Sequence, residues 1–227
     1  MPVIEVRGVS HAYDERRVVL DEVDVRVAEQ RVGVVGANGS GKSTFARLLN
    51  GLVLPTSGTV TVDGLDTRRD GRAVRRRVGF CFTDPDAQIV MPTVAEDVAF
   101  GLRRRGLSQR EVDERVAATL AAYGLDGHAD HPAHLLSGGQ KQLLALASVL
   151  VTEPDLLVMD EPTTLLDLRN ATRIAEVVAG LPQQVLLVTH HLDLLAGFDR
   201  VLVFDEGRLV CDDVPEPAVA YYRKLMA

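Results

Sequence analysis

Short apolar runs separated by polar turns lie near both ends of the chain and predict β-strands. In the first part of the chain they occupy residues 3–6, 18–20, 23–27, 31–35 and 59–64. The run at 23–27 alternates apolar and polar side chains, which is typical of a strand with one exposed face. In the last third the runs are continuously apolar, at 156–159, 185–188 and 201–204. Runs of that kind are expected in central strands covered on both faces.

The middle of the chain carries helix signals instead. Thr93 and Glu96 have the spacing of a capping box, and so do Ser108 and Glu111, whose helix is expected to end at Gly124. Further helices are predicted at 42–50, 140–152 and 217–226. The sequence therefore predicts an α/β protein.

These segments predict one domain over residues 1–227, with a helical subdomain of about residues 86–152 between strand-rich parts. The 25 basic and 32 acidic residues give a net charge of −7. An acidic chain has no general attraction for nucleic acid, so nucleic acid is not expected as a partner. The N-terminus has no apolar segment typical of a secretory signal, and the longest apolar run, 143–151, is much shorter than the roughly 20 residues of a membrane span.

The two cysteines, Cys81 and Cys211, are too few for a disulfide framework, and we expect both to be small buried apolar side chains in a reducing compartment. Four histidines are expected in loops, because their spacing fits no zinc pattern: His11, His128, His131 and His134. The arginine runs at 75–77 and 103–105 favour a solvated helix face and a loop over a membrane-facing surface.

A glycine-rich segment follows the strand at 31–35 and precedes a predicted helix. Gly36–Ser43, GANGSGKS, matches the pattern G-x-x-x-x-G-K-[ST]. In such a loop the backbone N–H groups converge on phosphate oxygens, the lysine reaches the β- and γ-phosphates, and the serine binds Mg²⁺. The sequence therefore predicts a nucleotide site containing Lys42 and Ser43.

An acidic pair, Asp160 and Glu161, ends the strand predicted at 156–159. Ligands bind at the carboxyl ends of strands in open α/β sheets. There, Asp160 can hold Mg²⁺ through its water shell, and Glu161 can polarise an attacking water. Solvated loop charges are the alternative interpretation, but the glycine-rich loop on the same chain favours the magnesium site.

A third segment, Leu136–Gln140, LSGGQ, begins the helix predicted near 140. Ser137 and the N–H groups after it have the composition of a second phosphate cradle. Two cradles on one chain are explained if two chains face each other head to tail and each closes the other's glycine-rich loop. An ordinary N-cap is the alternative interpretation of Ser137.

Together these three segments resemble the nucleotide-binding subunit of ABC transporters, and the resemblance covers nearly the whole chain. It implies the ABC ATPase fold: a RecA-like P-loop NTPase core with an N-terminal antiparallel β subdomain and an inserted helical subdomain. It also implies ATP and Mg²⁺ as ligands, ATP hydrolysis coupled to transmembrane transport, and a homodimer or a heterodimer with another ABC ATPase.

The resemblance implies a role for each motif residue. The implied catalytic residues are Lys42, Glu161 as the base, and His190 as a switch histidine at the γ-phosphate. The implied Mg²⁺ ligands are Ser43 and Asp160. The implied nucleotide-binding residues are Tyr13, Gly36, Asn38, Gly39, Ser40, Gly41, Lys42, Ser43 and Thr44, joined by Ser137 and Gly139, which a partner chain would supply. Tyr13 would stack on the adenine, and a surface tyrosine on a strand is the alternative for it.

The segment 82–101 resembles the ATPase component of energy-coupling-factor importers of vitamins and metals, through PDAQ at 85–88 and PTVAEDVAFG at 92–101. This resemblance implies integral membrane partners, the T and S components, and a peripheral location at the cytoplasmic face of the cell membrane. The short chain is similar to the biotin-type members, which implies biotin as the transported substrate. The alternatives are a cobalt or nickel importer, and a soluble ABC scaffold or assembly ATPase without a transport role.

Thr83 departs from the family pattern, which has glutamine after this strand. A threonine side chain is shorter, so our hypothesis is that Thr83 keeps only a water-mediated link to Mg²⁺. Gln88 would then contact the membrane partner. An exposed loop amide is the alternative for Gln88.

Overall fold

The structure is a computed structural model, and it describes residues 1–14, 18–103 and 105–227. Two compact units are present. Unit 1 comprises Met1–Phe80, Asp155–Glu161 and Ala179–Ala227, and unit 2 comprises Cys81–Pro154 and Pro162–Val178. The predicted helical subdomain at 86–152 falls within the first segment of unit 2, and its assignment to a single domain stays a prediction.

The strands form an antiparallel sheet and a mainly parallel one. Their bounds are β1 (Ile4–Ala12), β2 (Val18–Val27), β3 (Arg31–Gly36), β4 (Ser57–Val62), β5 (Leu65–Asp66), β6 (Val78–Cys81), β7 (Leu156–Asp160), β8 (Gln184–Val188), β9 (Arg200–Asp205) and β10 (Arg208–Asp213). The antiparallel sheet has the order β2-β1-β4-β5, and the second sheet has the order β10-β9-β3-β8-β7-β6. In the second sheet, β3 pairs in parallel with β8 and β9, and β7 with β8.

The burial of each sheet follows its sequence pattern. All residues of β3, β7 and β8 are buried, as their continuous apolar runs predict. In β2 buried and exposed positions alternate after Glu22. The apolar runs at 18–20 and 23–27, predicted as two strands, are one strand: Glu22 has a φ of +49°, and the pairing with β1 shifts register around it. This shift is typical of a bulge that bends one strand without ending it.

The helices confirm most of the capping signals. Their bounds are α1 (Lys42–Leu48), α2 (Gly71–Arg77), α3 (Val94–Phe100), α4 (Gln109–Ala122), α5 (Gly138–Leu150), α6 (Leu168–Gly180) and α7 (Pro215–Leu225), with short 3-10 turns at Pro85–Ala87, Asp126–His128, Ala133–Leu135 and Leu192–Leu195. Both predicted capping boxes are present, at Thr93 with Glu96 and at Ser108 with Glu111. Helix α6 was not predicted; its narrow apolar stripe is buried through Ala171, Ile174 and Val178.

The core of unit 2 contains a buried carboxylate, Asp97 on α3. It is 3% exposed. Its Oδ1 accepts hydrogen bonds from the backbone N–H groups of Val90 and Met91 at 2.8 and 3.0 Å, and its Oδ2 accepts one from Ser148 Oγ on α5 at 2.8 Å. A buried carboxylate with three donors is well satisfied. Asp97 therefore ties the segment before α3 to α5, a role that the sequence pattern did not reveal.

Two sequence expectations are wrong. His11 does not lie in a loop: it belongs to β1, where it is buried, since the strand continues to Ala12. Cys81 is fully buried and its pKa is raised to about 12 by that burial, whereas Cys211 lies on β10 and is only half-buried. Within the part of the chain that the structure describes, every helix is too short or too polar to span a lipid bilayer.

Candidate active site

The glycine-rich loop connects β3 to α1 in unit 1, and two of its glycines have a steric reason. Gly36 ends β3 with a φ of +156°, and a Cβ atom there would lie 2.2 Å from the carbonyl oxygen of Phe204. Gly41, with a φ of +99°, precedes α1, and its Cβ would lie 2.7 Å from the carbonyl oxygen of Val19. Because neither position has room for a side chain, the sequence of the loop dictates its backbone path.

The Lys42 ammonium folds back onto this loop. Its Nζ donates to the carbonyl oxygens of Gly36 at 2.7 Å and Ala37 at 2.8 Å, and the side chain is buried. Burial lowers the pKa of Lys42, while the charges of Glu161 and Asp160 act in the opposite direction. The lysine is therefore positioned by backbone oxygens beside two carboxylates.

The inside of the loop has features that fit a phosphate group. The hydroxyl oxygen of Ser40 is buried and has no hydrogen-bond partner among the described residues. At Gly39 a Cβ would meet nothing within 4 Å, so the space next to the loop is open. An unpartnered buried donor beside a cationic lysine and open space is what a bound phosphate requires.

Ser43 and Asp160 come together at the carboxyl end of β7. Ser43 Oγ donates to Asp160 Oδ1 at 2.8 Å, and Arg47 Nη2 lies 3.5 Å from Oδ2. Asp160 is 1% exposed, and this burial raises its pKa, against the Ser43 hydrogen bond and the Arg47 charge. A hydroxyl and a carboxylate beside a phosphate site are the hard oxygen donors that Mg²⁺ takes, so the residues present fit a magnesium ion.

Glu161 has a left-handed backbone with a φ of +52°, and its N–H donates to the Val188 carbonyl at 3.0 Å. Its Oε2 lies 2.7 Å from His190 Nδ1. A non-glycine residue in this conformation is strained, and such strain is common where a side chain is held for function. The structure therefore joins Glu161 and His190 directly, and contact of His190 with the γ-phosphate stays a prediction.

Tyr13 follows the end of β1 and is 55% exposed. Its hydroxyl lies 3.2 Å from Thr44 Oγ1 on α1, and its ring stands edge-on to His11 with centroids 4.7 Å apart. Thr44 itself is buried, while Asn38 is exposed at the tip of the loop. Unit 1 therefore brings together the residues predicted on this side of the nucleotide, with adenine stacking by Tyr13 still a prediction.

In unit 2, Ser137 forms the N-cap of α5. Gln140 N donates to Ser137 Oγ at 3.4 Å, and Ser137 N donates to Gln140 Oε1 at 2.9 Å. Gly139 is buried, and a Cβ there would lie 2.2 Å from Asn170 Oδ1 on α6. The capping interpretation therefore describes this chain, and glycine at 139 allows the two helices to pack. Nucleotide contact by Ser137 and Gly139 stays a prediction.

Comparison with known proteins decides the family. The sequence pattern of the family described as ABC transporter matches residues 20–164. A putative ABC transporter ATP-binding protein of Deinococcus radiodurans is 57% identical over 224 residues, which cover 99% of each chain. The chain belongs to the ABC transporter family. It is an ABC ATPase, an ATP-binding subunit of a transporter.

Two further relatives refine this result. A biotin transport ATP-binding protein of Rhizobium etli is 50% identical to the ABC ATPase, over 93% of this chain and 94% of that protein. The solved structure of cbiO1 from Clostridium perfringens, described as part of the ABC transporter complex cbiONQ, is 32% identical. It matches with a TM-score of 0.84 and covers 98% of this chain and 92% of that chain. The predicted ABC ATPase fold is thereby confirmed.

Two side-chain contacts hold the loop after Thr83 in the ABC ATPase, and local sequence patterns predicted neither of them. Gln88 Oε1 accepts from Phe82 N at 3.0 Å, and its Nε2 donates to the Ala145 carbonyl on α5 at 2.9 Å. Gln88 is thus half-buried and is not an exposed loop amide. Lys141, also on α5, donates to both carboxylate oxygens of Asp86, at 2.7 and 3.0 Å.

Proposed function

We propose that this protein is the ATP-hydrolysing subunit of an energy-coupling-factor importer that takes up biotin. The hydrolytic part of the proposal rests on the contact between Glu161 and His190. Glu161 directly follows Asp160, which is hydrogen-bonded to Ser43. The biotin transport relative at 50% identity and the sequence of the segment 82–101 support the transport part.

Binding of the ATP phosphates would use groups that the loop already orients. Lys42 exchanges its two carbonyl acceptors, Gly36 and Ala37, for phosphate oxygens, which accept more strongly because they are charged. The Ser40 hydroxyl gains the partner that it lacks. These contacts orient the triphosphate for in-line attack at the terminal phosphorus.

Ser43 and Asp160 would hold Mg²⁺, which, when bound, neutralises charge on the phosphate oxygens. Asp160 must be ionised for this role. Burial disfavours the ionised carboxylate, whereas the Ser43 hydroxyl and the Arg47 guanidinium stabilise it. Ser43 and Arg47 therefore partly offset the effect of burial on the pKa of Asp160.

Glu161 would orient the attacking water and accept its proton. The contact with His190 Nδ1 fixes Oε2, and the strained backbone fixes the direction of the side chain. A carboxylate held at both points can align water without first reorganising. His190 acts here by positioning Glu161, in addition to its predicted contact with the γ-phosphate.

A second ABC ATPase, identical or related, would complete each site with its own Ser137 and Gly139. The exposed position of Ser137 at the beginning of α5 supports this arrangement, because the helix N-terminus favours a negative ligand. The T and S components of the importer would be the integral membrane partners, with the ATPase peripheral at the cytoplasmic face of the membrane.

Co-expression with candidate membrane subunits tests this proposal. We expect the tagged ATPase to co-purify with an integral membrane subunit, and the complex in lipid vesicles to accumulate biotin when ATP is supplied on the ATPase side. The matched control is the same complex carrying Glu161→Gln, which should assemble but not transport. Uptake of cobalt or nickel instead of biotin would show that the transported substrate is a metal ion and not biotin. Failure of the active ATPase to co-purify with any integral membrane subunit would favour the soluble scaffold alternative.

A further inference from the structure

A cluster of six arginines surrounds α2 in unit 1, and the proposed reaction uses none of them. They are Arg68, Arg69, Arg72, Arg75, Arg76 and Arg77, all exposed, and we call them the arginine patch. The patch lies within ten consecutive residues of a chain whose net charge is −7. Such a local excess of positive charge needs an explanation that the overall composition does not supply.

Half of the patch has structural partners. Three arginines bond to neighbouring backbone or carboxylate groups: Arg68 to the Pro55 carbonyl, Arg69 to Asp66 at 3.4 Å, and Arg77 to Asp63 at 3.0 Å. These contacts hold the segment around α2 against the antiparallel sheet. The packing of unit 1 therefore accounts for these three arginines.

The other half has none. Arg72, Arg75 and Arg76 make no hydrogen bond and no ion pair with the described part of the chain. They share α2 with Val74, which is buried and defines the inward face of the helix. Arg72 and Arg76 are spaced i and i+4, where like charges destabilise a helix. Neither arginine has a carboxylate within ion-pair distance in the described part of the chain.

The side chains of Arg69, Arg72 and Arg76 line one shallow depression of about 380 Å³, together with Asp70 and Ala73. Asp70 also lines this depression, with Oδ2 accepting from the Asp66 N–H at 3.1 Å, so three guanidinium groups outnumber one carboxylate there. The depression therefore presents guanidinium groups that have room for an anion between them. Guanidinium groups bind phosphate oxygens through two parallel hydrogen bonds.

We propose that the arginine patch binds the phosphate headgroups of an anionic membrane surface. The inference rests on the proposed function, in which this subunit works against a membrane. Basic side chains near an anionic leaflet contribute cumulatively to binding, whereas the negative charge of the rest of the chain opposes it. A duplex nucleic acid would require positive charge over a longer path, which a patch of ten residues in an acidic chain does not offer.

Flotation of the purified full chain with lipid vesicles tests the inference. We expect binding to phosphatidylcholine vesicles that contain about one-quarter phosphatidylglycerol, none to pure phosphatidylcholine, and loss of binding at high salt. The variant Arg72→Gln/Arg75→Gln/Arg76→Gln should bind at least about tenfold more weakly. It should hydrolyse ATP at the wild-type rate, which shows that it is folded. The single variants Arg72→Gln and Arg76→Gln should fall between.

The matched control is Arg110→Gln/Arg115→Gln/Arg208→Gln. It removes the same charge from three surface arginines that have carboxylate partners, Glu114, Glu153 and Asp21. Equal loss in both triple variants would attribute vesicle binding to net charge and overturn the patch. Patch-dependent binding to a DNA duplex without binding to vesicles would overturn the lipid assignment. Flotation needs neither ATP nor transport. A chain that does not bind vesicles would therefore not contradict the importer proposal, and a complex that does not take up biotin would not contradict lipid binding by the arginine patch.

Discussion

The nucleotide site of unit 1 and the loop 83–88 of unit 2 acquire their order in different ways. In unit 1 the backbone conformation determines most of the geometry. A Cβ atom at Gly36 or Gly41 would clash with neighbouring atoms, and Glu161 is held in a left-handed conformation. In unit 2 side chains from distant positions do it, as Gln88 reaches the Ala145 carbonyl and Lys141 reaches Asp86. The parts of a site that form a sequence motif can be found from residue spacing, whereas parts defined by long-range side-chain contacts cannot.

The two regions also differ in what their residues do. The residues of unit 1 that the backbone fixes are those that the proposed reaction needs, and a small displacement of them would lower the rate of ATP hydrolysis. The residues bridged by side chains in unit 2 join secondary-structure elements, so their loss should be felt first in stability and in transport. Substitutions in the two regions should therefore differ in the property that they change.

Glu161→Gln should lower ATP hydrolysis by about 10²–10⁴-fold, because an amide cannot accept the proton of the attacking water. ATP binding should persist, since the amide has the same shape, and an ATP-bound dimer should accumulate in size-exclusion chromatography. Glu153→Gln is the matched control, because Glu153 is a second glutamate with a left-handed φ, +51°, but lies outside the site. Wild-type turnover in Glu161→Gln would remove Glu161 from the role of base.

Lys42→Ala should weaken ATP binding by about tenfold to a few hundredfold, since a hydrogen bond to a charged group contributes about 1.5–3 kcal/mol. Backbone N–H groups of the loop remain but carry no formal charge. Titration calorimetry with ATP measures the change, and Lys224→Ala on the exposed face of α7 is the control. Unchanged affinity would contradict the assignment of Gly36–Ser43 as the phosphate site.

The two regions differ in how far the sequence could predict them. The motif residues Lys42, Ser43 and Asp160 were found from spacing, since each sits at a fixed place relative to β3, α1 or β7. The bond between Ser43 and Asp160, 117 positions apart, could be inferred only because the family places both beside one phosphate group.

Residues without a motif could not be placed in this way. The buried carboxylate of Asp97 looks in the sequence like any charge in the first turn of a helix. The backbone strain at Glu161 has no signal at all, because glutamate does not favour a left-handed conformation. The partners of Gln88 and Lys141 depend on how α5 packs, which local patterns do not specify.

Gln88→Ala should lower the free energy of unfolding by about 1–3 kcal/mol, since it leaves the buried partners of two hydrogen bonds unpaired. Denaturant titration measures this, with the exposed Gln109→Ala as control. Burial raises the pKa of the nearby Cys81 thiol to about 12, against the influence of Gln88, and keeps the thiol protonated and unreactive at neutral pH.

Alkylation of Cys81 therefore reports on whether the hydrogen bonds of Gln88 are intact. In the wild type at pH 8 only the half-exposed Cys211 should react, whereas Gln88→Ala should admit reagent to Cys81 as well. The basal ATPase of the isolated subunit should stay intact, while transport by the assembled complex falls. Full transport by Gln88→Ala would show that Gln88 has no part in coupling.

The ion pair between Lys141 and Asp86 should contribute less than about 1 kcal/mol, because Asp86 is largely exposed and water screens the pair. A double-mutant cycle with Lys141→Met and Asp86→Asn measures the coupling energy directly. The coupling should shrink in high salt. A coupling energy larger than the loss in Gln88→Ala would contradict the ranking and would make the charged contact the main link between the loop and α5.

Thr83→Gln should have the smallest effect and is the sharpest test of the departure from the family pattern. If Thr83 meets Mg²⁺ only through water, the longer amide can reach the ion directly, so the exchange should be tolerated and should raise basal ATPase by no more than a few-fold. Thr83→Val, which keeps the shape but removes the hydroxyl, is the matched control. The Mg²⁺ concentration for half-maximal ATPase should fall in Thr83→Gln and rise in Thr83→Val. If both variants keep the wild-type Mg²⁺ dependence, Thr83 has no link to the ion.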